Sequence, residues 1–143
     1  MDLEAVERAV ARLHEDEPAF DWVGVYLLEG DVLALGPFRG RPTDHVRIPL
    51  PEGVCGAVAA SGVTEVVPDV RARPGHITCD LDTRSEAVAP ILAPGREREG
   101  PAAVLGVLDV DSNAPDAFGE REVEVIERAA AALAQALAPE PPA

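Results

Sequence analysis

Apolar residues at Leu3, Val6, Val10 and Leu13 recur every three or four positions. That is the stripe of an amphipathic helix, and Glu15-Asp16-Glu17-Pro18 ends it. From Trp22 to Leu28 the chain turns continuously apolar (WVGVYLL), the pattern of a strand. Glu29-Gly30-Asp31 reads as a turn and Val32 to Leu35 as the return strand, so the pair predicts a hairpin. Gly36-Pro37-Phe38-Arg39-Gly40 breaks the pattern and predicts a loop, with Gly36 and Gly40 at positive φ. Val46 to Leu50 predicts a short strand closed by Pro51.

The glycines around Val54-Cys55 and at Gly62 mark the entry and exit of a short helix. Val63 to Val67 predicts a strand, and Glu86 to Leu92 another, interrupted at Pro90. Pro94 to Pro101 (PGREREGP) predicts an exposed turn. Ala102 to Asp109 is the longest apolar strand and reaches Asp111. A final helix is expected from about Gly119 to Leu137, on the stripe Val123, Ile126, Ala130, Leu133 and Leu137. This order is not the regular β–α alternation of a parallel sheet. It predicts an α+β fold, with an antiparallel sheet and the first and last helices on one face. Residues 1–143 are expected to form one domain, with 1–20 as N-terminal helix and linker and 139–143 as a frayed tail.

Composition narrows the partners. The chain has 143 residues, enough to bury one core. Hydrophobic residues make up 47% and aromatics only 3%, so Ala, Val and Leu fill that core. The formal charge of −14 disfavours nucleic acid and anionic membranes, which need clustered Lys and Arg. No stretch reaches the ~18–20 apolar residues of a membrane span. The acidic, helical MDLEAVERAV is unlike a signal peptide, so the expected location is the cytoplasm. In that reducing compartment cysteines are more often catalytic or metal-binding than structural.

The chemistry concentrates between Pro68 and Pro90, which holds His76, Cys79, Asp69, Asp80, Asp82 and Glu86. A connection longer than ~12–15 residues usually has a function. Cys79, in a polar setting, is unsuited to plain packing. Cys55 stands at a helix entrance, where partial positive charge favours a thiolate, yet a small buried hydrophobe fits its neighbours equally well. These considerations leave open which thiol reacts first. Alternation along Asp109-Val110-Asp111 points both carboxylates to one face. Paired acids suit proton donation and ammonium binding, although Asp111-Ser112-Asn113 is also a natural turn cap. Trp22 and Tyr26 share a strand face, either as core or as rings clasping a sulfonium-like methyl group. His76 and Cys79 do not by themselves make a zinc site, which takes four ligands, so no metal is expected. His76 reads as a hydrogen-bonding loop residue, Gly75 as a positive-φ turn, and His14 and His45 as solvated.

The segments DWVGVYLL, LGPFRGRP, RIPLPEGVCG, VPDVRARPGHITCD, SEAVAP and GVLDVDS, in that order, resemble the free methionine-(R)-sulfoxide reductases, small proteins of the GAF fold. The resemblance spans Asp21 to the last helix. It implies a six-stranded antiparallel sheet with N- and C-terminal helices on one face, and a pocket on the other under the long loop. It also implies homodimers. For site residues it implies Cys79 as the attacking thiol and Trp22 and Tyr26 in the pocket. Two features depart from the family. A third cysteine shortly after GPF-x-G is replaced by Thr43-Asp44-His45, and the N-terminal helical segment is shorter. Cys55 is then the remaining resolving thiol.

On this resemblance the chain is a thiol-dependent oxidoreductase that reduces free L-methionine-(R)-sulfoxide. Attack leaves a sulfenic acid on Cys79, and a Cys55–Cys79 disulfide follows. An external dithiol such as thioredoxin resets it, with no bound cofactor. Glu86 and Asp109 are expected to protonate the sulfoxide, and Asp111, with Glu86, to hold the substrate. The alternatives are a non-catalytic GAF module that senses a small ligand and a purely dimerising domain.

Overall fold

The computed structural model describes residues 1–74 and 82–139. Gly75, His76, Cys79 and Asp80, and the tail after Pro139, lie outside the described residues. Helix α1 (Leu3–Asp16) leads into β1 (Trp22–Glu29), β2 (Val32–Arg39) and β3 (Arg47–Pro49). Helix α2 (Gly53–Ser61) precedes β4 (Glu65–Val67), β5 (Ser85–Leu92), β6 (Val104–Ser112) and α3 (Glu120–Leu137). The strands form one antiparallel sheet in the order β3-β2-β1-β6-β5-β4. This is the α+β architecture the sequence predicts. Among the described residues no helix is long and apolar enough to cross a membrane.

Helix ends follow local chemistry. The Asp2 carboxylate accepts from the Ala5 amide at 3.0 Å and caps α1. Glu122 reaches back to the Gly119 amide at 3.0 Å and closes the first turn of α3. Val6, Val10 and Leu13 of α1 and Ile126, Ala130, Leu133 and Leu137 of α3 pack on Val23, Val25, Ala87, Ala89, Leu108 and Val110. The opposite sheet face carries Trp22, Tyr26, Leu33, Val88 and Val107 beneath Val54, Cys55 and Val58 of α2. Among the described α-helices, the two outer ones thus share one face and α2 covers the other.

Four local expectations change. β2 does not stop at Leu35 but continues through Gly36-Pro37-Phe38 to Arg39. Gly24 pairs Phe38 and Tyr26 pairs Leu35, so β2 carries one extra residue there, a bulge. β3 pairs only Val32 to Ala34, so Pro37 meets no neighbour on that side and its missing N–H costs nothing. Gly40 has the expected positive φ, 119°, whereas Gly36 is absent from the positive-φ glycines. Pro90 interrupts nothing: it pairs Val107, and β4 reaches only Glu86 to Val88 on its other side. Finally, Glu97–Ala103 forms 3-10 turns broken at Gly100, so β6 starts at Val104, and β4 starts at Glu65. The PGREREGP segment is largely exposed, as expected.

Ile126 is fully buried between α3 and the sheet. Ile126→Ala is expected to cost about 2–5 kcal/mol, read as a lower urea midpoint at unchanged slope. Val63→Ala, at an exposed position, should leave the midpoint in place. An unchanged midpoint in Ile126→Ala would mean that this face does not carry the fold.

Candidate active site

Strand register builds the site. Trp22 of β1 lies opposite Asp111 of β6, and Asp111 lies opposite Glu86 of β5. One row along, Gly24 faces Asp109, and Asp109 faces Val88. Side chains alternate, so Trp22, Gly24, Tyr26, Asp109, Asp111 and Glu86 all fall on the face that α2 covers. Glu86, Asp109 and Asp111 are each at most 1% exposed. Cys55, the third residue of α2, comes down on them from above. Its sulfur and a carboxylate oxygen each of Glu86 and Asp109 lie within 4.8 Å of one another. Cys55 is both core and site: it packs with Val54 and Val58 and meets the carboxylates at the edge of that cluster.

Burying three carboxylates side by side sets their protonation. Like charges directly opposed across two strands repel, and low-dielectric surroundings disfavour each ionised form. Burial first, and the charge of Asp111 next, hold the Glu86 carboxyl well above the usual range. Hydrogen bonding with Asp109 and the charge of Arg73 oppose the shift in part. Arg73 is itself engaged, its Nε and Nη2 reaching Glu65 at 2.6 and 3.2 Å. Glu86 is therefore biased toward its protonated form, which suits it to donate a proton.

The turn-capping alternative for Asp111 fails on geometry. The Asn113 amide donates to Asp21 Oδ2 at 2.7 Å and the Ala114 amide to Ser112 Oγ at 3.2 Å. Those side chains satisfy the turn, and Asp111 stays buried on the sheet face.

The aromatic side chains form a floor rather than a clasp. The Trp22 and Tyr26 centroids lie 6.4 Å apart at 31°, too close for a group between them. Phe38 stacks on Trp22 at 5.7 Å and 16°. A Cβ on Gly24 would come within 2.3 Å of the indole six-membered ring, so that ring lies across bare backbone. The polar tips point away to the β2–β3 connection. The indole N–H donates to the Arg41 carbonyl at 2.9 Å, and the Tyr26 hydroxyl to the His45 carbonyl at 2.8 Å. Arg41 also pairs with Asp82 at 2.7 Å across the exposed surface.

Trp22, Tyr26, Cys55, Glu86, Asp109 and Asp111 are thus brought to one sheet face. Cys79 and His76 lie outside the described residues. Phe38 and the ring-tethered Arg41–His45 segment are additions. Phe38 was hidden by the loop reading of GPFRG, and the glycine between Trp22 and Tyr26 was the available signal that a flat ring crosses there. His45 is half-buried rather than solvated, and its contribution is a main-chain carbonyl. His14 is likewise half-buried. Among the described residues one group of three donors, Cys55, Glu86 and Asp109, has metal-binding spacing, one short of a structural zinc set. A groove of about 470 Å³ lies elsewhere, between Thr64, Pro90, Leu92 and α3. Its rim carboxylates, Glu97 and Glu127, are exposed, and no thiol or imidazole lines it.

The sequence matches the GAF domain family over residues 2–137. It is 41% identical to the protein YtsP of Bacillus subtilis over 132 residues, 91% of this chain and 76% of that one. It is 37% identical to the free methionine-R-sulfoxide reductase of Escherichia coli over 128 residues, 90% of this chain and 73% of that one. The free methionine-R-sulfoxide reductase of Neisseria meningitidis, solved in complex with its substrate, superposes with a TM-score of 0.83. That alignment has 36% identity and covers 94% of this chain and 77% of the other. With buried acids, a thiol and an aromatic floor on one sheet face, the chain belongs to the GAF-domain family and, within it, to the free methionine-R-sulfoxide reductases.

Proposed function

We propose that this chain reduces free L-methionine-(R)-sulfoxide to methionine with its own two thiols. The carrying observation is the convergence of the Cys55 sulfur with the Glu86 and Asp109 carboxylates beside the Trp22–Tyr26 floor. In this mechanism the Cys79 thiolate attacks the sulfoxide sulfur while Glu86 protonates the oxygen. The adduct so formed collapses: its S–S bond and the S–O bond break, the protonated oxygen passes to the Cys79 sulfur as a sulfenic acid, and an electron pair stays on the substrate sulfur, now the thioether of methionine. The proton lost by the Cys79 thiol replaces the one that Glu86 gave. Cys55 then condenses with the sulfenic acid, forming the Cys55–Cys79 disulfide and releasing water. A thioredoxin-like dithiol reduces that disulfide by exchange and is itself oxidised. Asp109, hydrogen-bonded with Glu86, shares in proton delivery. Asp111, in the row between Glu86 and Trp22, takes the α-ammonium, a group that a peptide-bound methionine lacks. The same reading makes the protein a cytoplasmic homodimer.

With dithiothreitol as reductant, the free (R) epimer is expected to be consumed and a peptide-bound sulfoxide left intact. Binding without turnover would instead mark a ligand-sensing module. In single-turnover assays Cys55→Ser should still release one equivalent of methionine but fail to recycle with thioredoxin, whereas Cys79→Ser should release none. Full first-turnover chemistry in Cys79→Ser would end the assignment of the attacking thiol.

Glu86 acts here as the protonated acid, and its pKa is raised by burial and Asp111. Turnover is therefore present below that raised pKa and declines as pH rises through it. Glu86→Gln should keep the fold by circular dichroism, slow turnover by about 10²–10⁴-fold, and flatten the alkaline limb of the pH–rate profile. An unchanged alkaline limb would place the acid elsewhere.

A further inference from the structure

We infer that the Arg73–Glu65 pair is a positioning element for the buried acids, with Arg73 acting on them as a cation and Glu65 limiting how much of that charge they feel. The inference deepens the proposed reductase site. It rests on that reading for the effect on turnover, but not for the effect on the acids themselves. Strand register places the pair. Val67 of β4 lies opposite Glu86 of β5, and Glu65 lies opposite Val88. Alternation therefore sets Glu65 on the same sheet face as Glu86, one row along. Val67 and Val88 mark that face, since both pack in the cluster beneath α2. After β4 the chain makes a 3-10 turn over Val70–Ala72, and the Val70 amide ties it to the entry of β5 by donating to the Arg84 carbonyl at 2.8 Å. Arg73 closes that turn, its amide donating to the Val70 carbonyl at 3.4 Å. From there its Nε and Nη2 reach Glu65 at 2.6 and 3.2 Å, while Nη1 donates to the Pro74 carbonyl at 3.4 Å.

Electrostatics gives the pair its effect. The Arg73 side chain is 22% exposed and that of Glu65 35%, so solvent screens this pair less than one on the open surface. Hydrogen bonding to Glu65 first, with the charge of Glu86 as a smaller contribution, holds the guanidinium above its ordinary value against partial burial. Arg73 therefore stays a cation wherever the acids titrate. Among the described residues the other titratable neighbours of Glu86 are Asp109 and Asp111 of β6 and the Cys55 thiol of α2. Burial and Asp111 push the Glu86 carboxyl up, and the charge of Arg73 works against them. Acids this close titrate as a set. A cation at the end of their row lowers the proton affinity of the set, whichever member carries the proton. An unpaired arginine there would draw the proton off too readily for an acid that must donate it. Glu65, bonded to the same guanidinium, offsets part of that pull.

The test is a pH titration of the reduced full chain by NMR, with isotope-labelled Glu and Asp carboxyl carbons, beside the pH–rate profile with dithiothreitol. Arg73→Met keeps the aliphatic stem and loses the charge. The buried acids are then expected to titrate roughly half a pH unit or more higher, and the alkaline limb of turnover to move up with them. Glu65→Gln keeps a hydrogen-bond acceptor for Arg73 and loses the opposing charge, so acids and limb are expected to move to lower pH. Arg73→Lys keeps the cation and should stay nearest the unaltered protein. A pair that only held the fold together would behave otherwise: Arg73→Met and Glu65→Gln weaken the same contact, and both would shift the titration the same way. Shifts in one direction, or no shift in either variant, overturn the inference. If Arg73→Met does not fold by circular dichroism, the downward shift in Glu65→Gln decides alone. If the opposite shifts appear by NMR while no sulfoxide is reduced, the inference stands and the reductase reading falls. If sulfoxide is reduced while acids and limb stay in place in both variants, only this inference falls.

Discussion

Two acidic side chains directly opposed across neighbouring strands, inside the protein, are the constraint that the rest of this molecule accommodates. Glu86 and Asp111 share one row of the sheet, and Asp109 sits one row away. In water such a row would repel mildly. Buried, it disfavours holding all its charges, and the Glu86 carboxyl is biased toward keeping its proton. A fold evolved for stability alone would place apolar residues here, as it does on the opposite face with Val23, Ala87, Leu108 and Val110. The two faces of one sheet therefore divide the work. The α1–α3 face supplies burial, and the α2 face gathers the buried acids and the Cys55 thiol.

That division explains the aromatic usage. With few aromatic residues in the chain, three stand together as Trp22, Tyr26 and Phe38. The fold needs none of them for the α1–α3 layer, where Phe20 and Phe118 make a separate pair. Their arrangement depends on a missing side chain. Any Cβ at Gly24 would collide with the indole, and a displaced indole would withdraw its N–H from Arg41. A single methyl group at Gly24 would thus disturb the ring floor, the β2–β3 connection and, through Arg41 and Asp82, the surface beside β5.

The fold was largely legible because period-two and period-three-to-four patterns report which face is buried, and here both faces are. Alternation in Trp22-Val23-Gly24-Val25-Tyr26 put the two rings on one face, and alternation in Asp109-Val110-Asp111 put the two acids on one face, as the strand register has them. The misreadings share one cause. Gly36-Pro37 and Pro90 look like breaks when a strand is imagined alone, but each sits where a short neighbouring strand, β3 or β4, does not reach. Sheet order decides that, and sheet order is not written locally. The same limit hid the meeting of Cys55 with Glu86 and Asp109, contributed by α2, β5 and β6. It also hid the tethers to Arg41 and His45, because those contacts use main-chain carbonyls that any residue would supply.

The departure from the family at Thr43-Asp44-His45 follows from the same geometry. This segment is bracketed by the two ring-tip hydrogen bonds, one to Arg41 and one to His45. Its backbone is fixed by the aromatic floor whether or not a side chain there takes part in the chemistry. A thiol lost from such a segment leaves the pocket wall standing. In the proposed cycle the resolving role then falls to Cys55, which α2 holds against the Glu86 and Asp109 carboxylates. A segment pinned in this way can change its side chains, a cysteine included, while the ring floor beside the buried acids keeps its shape.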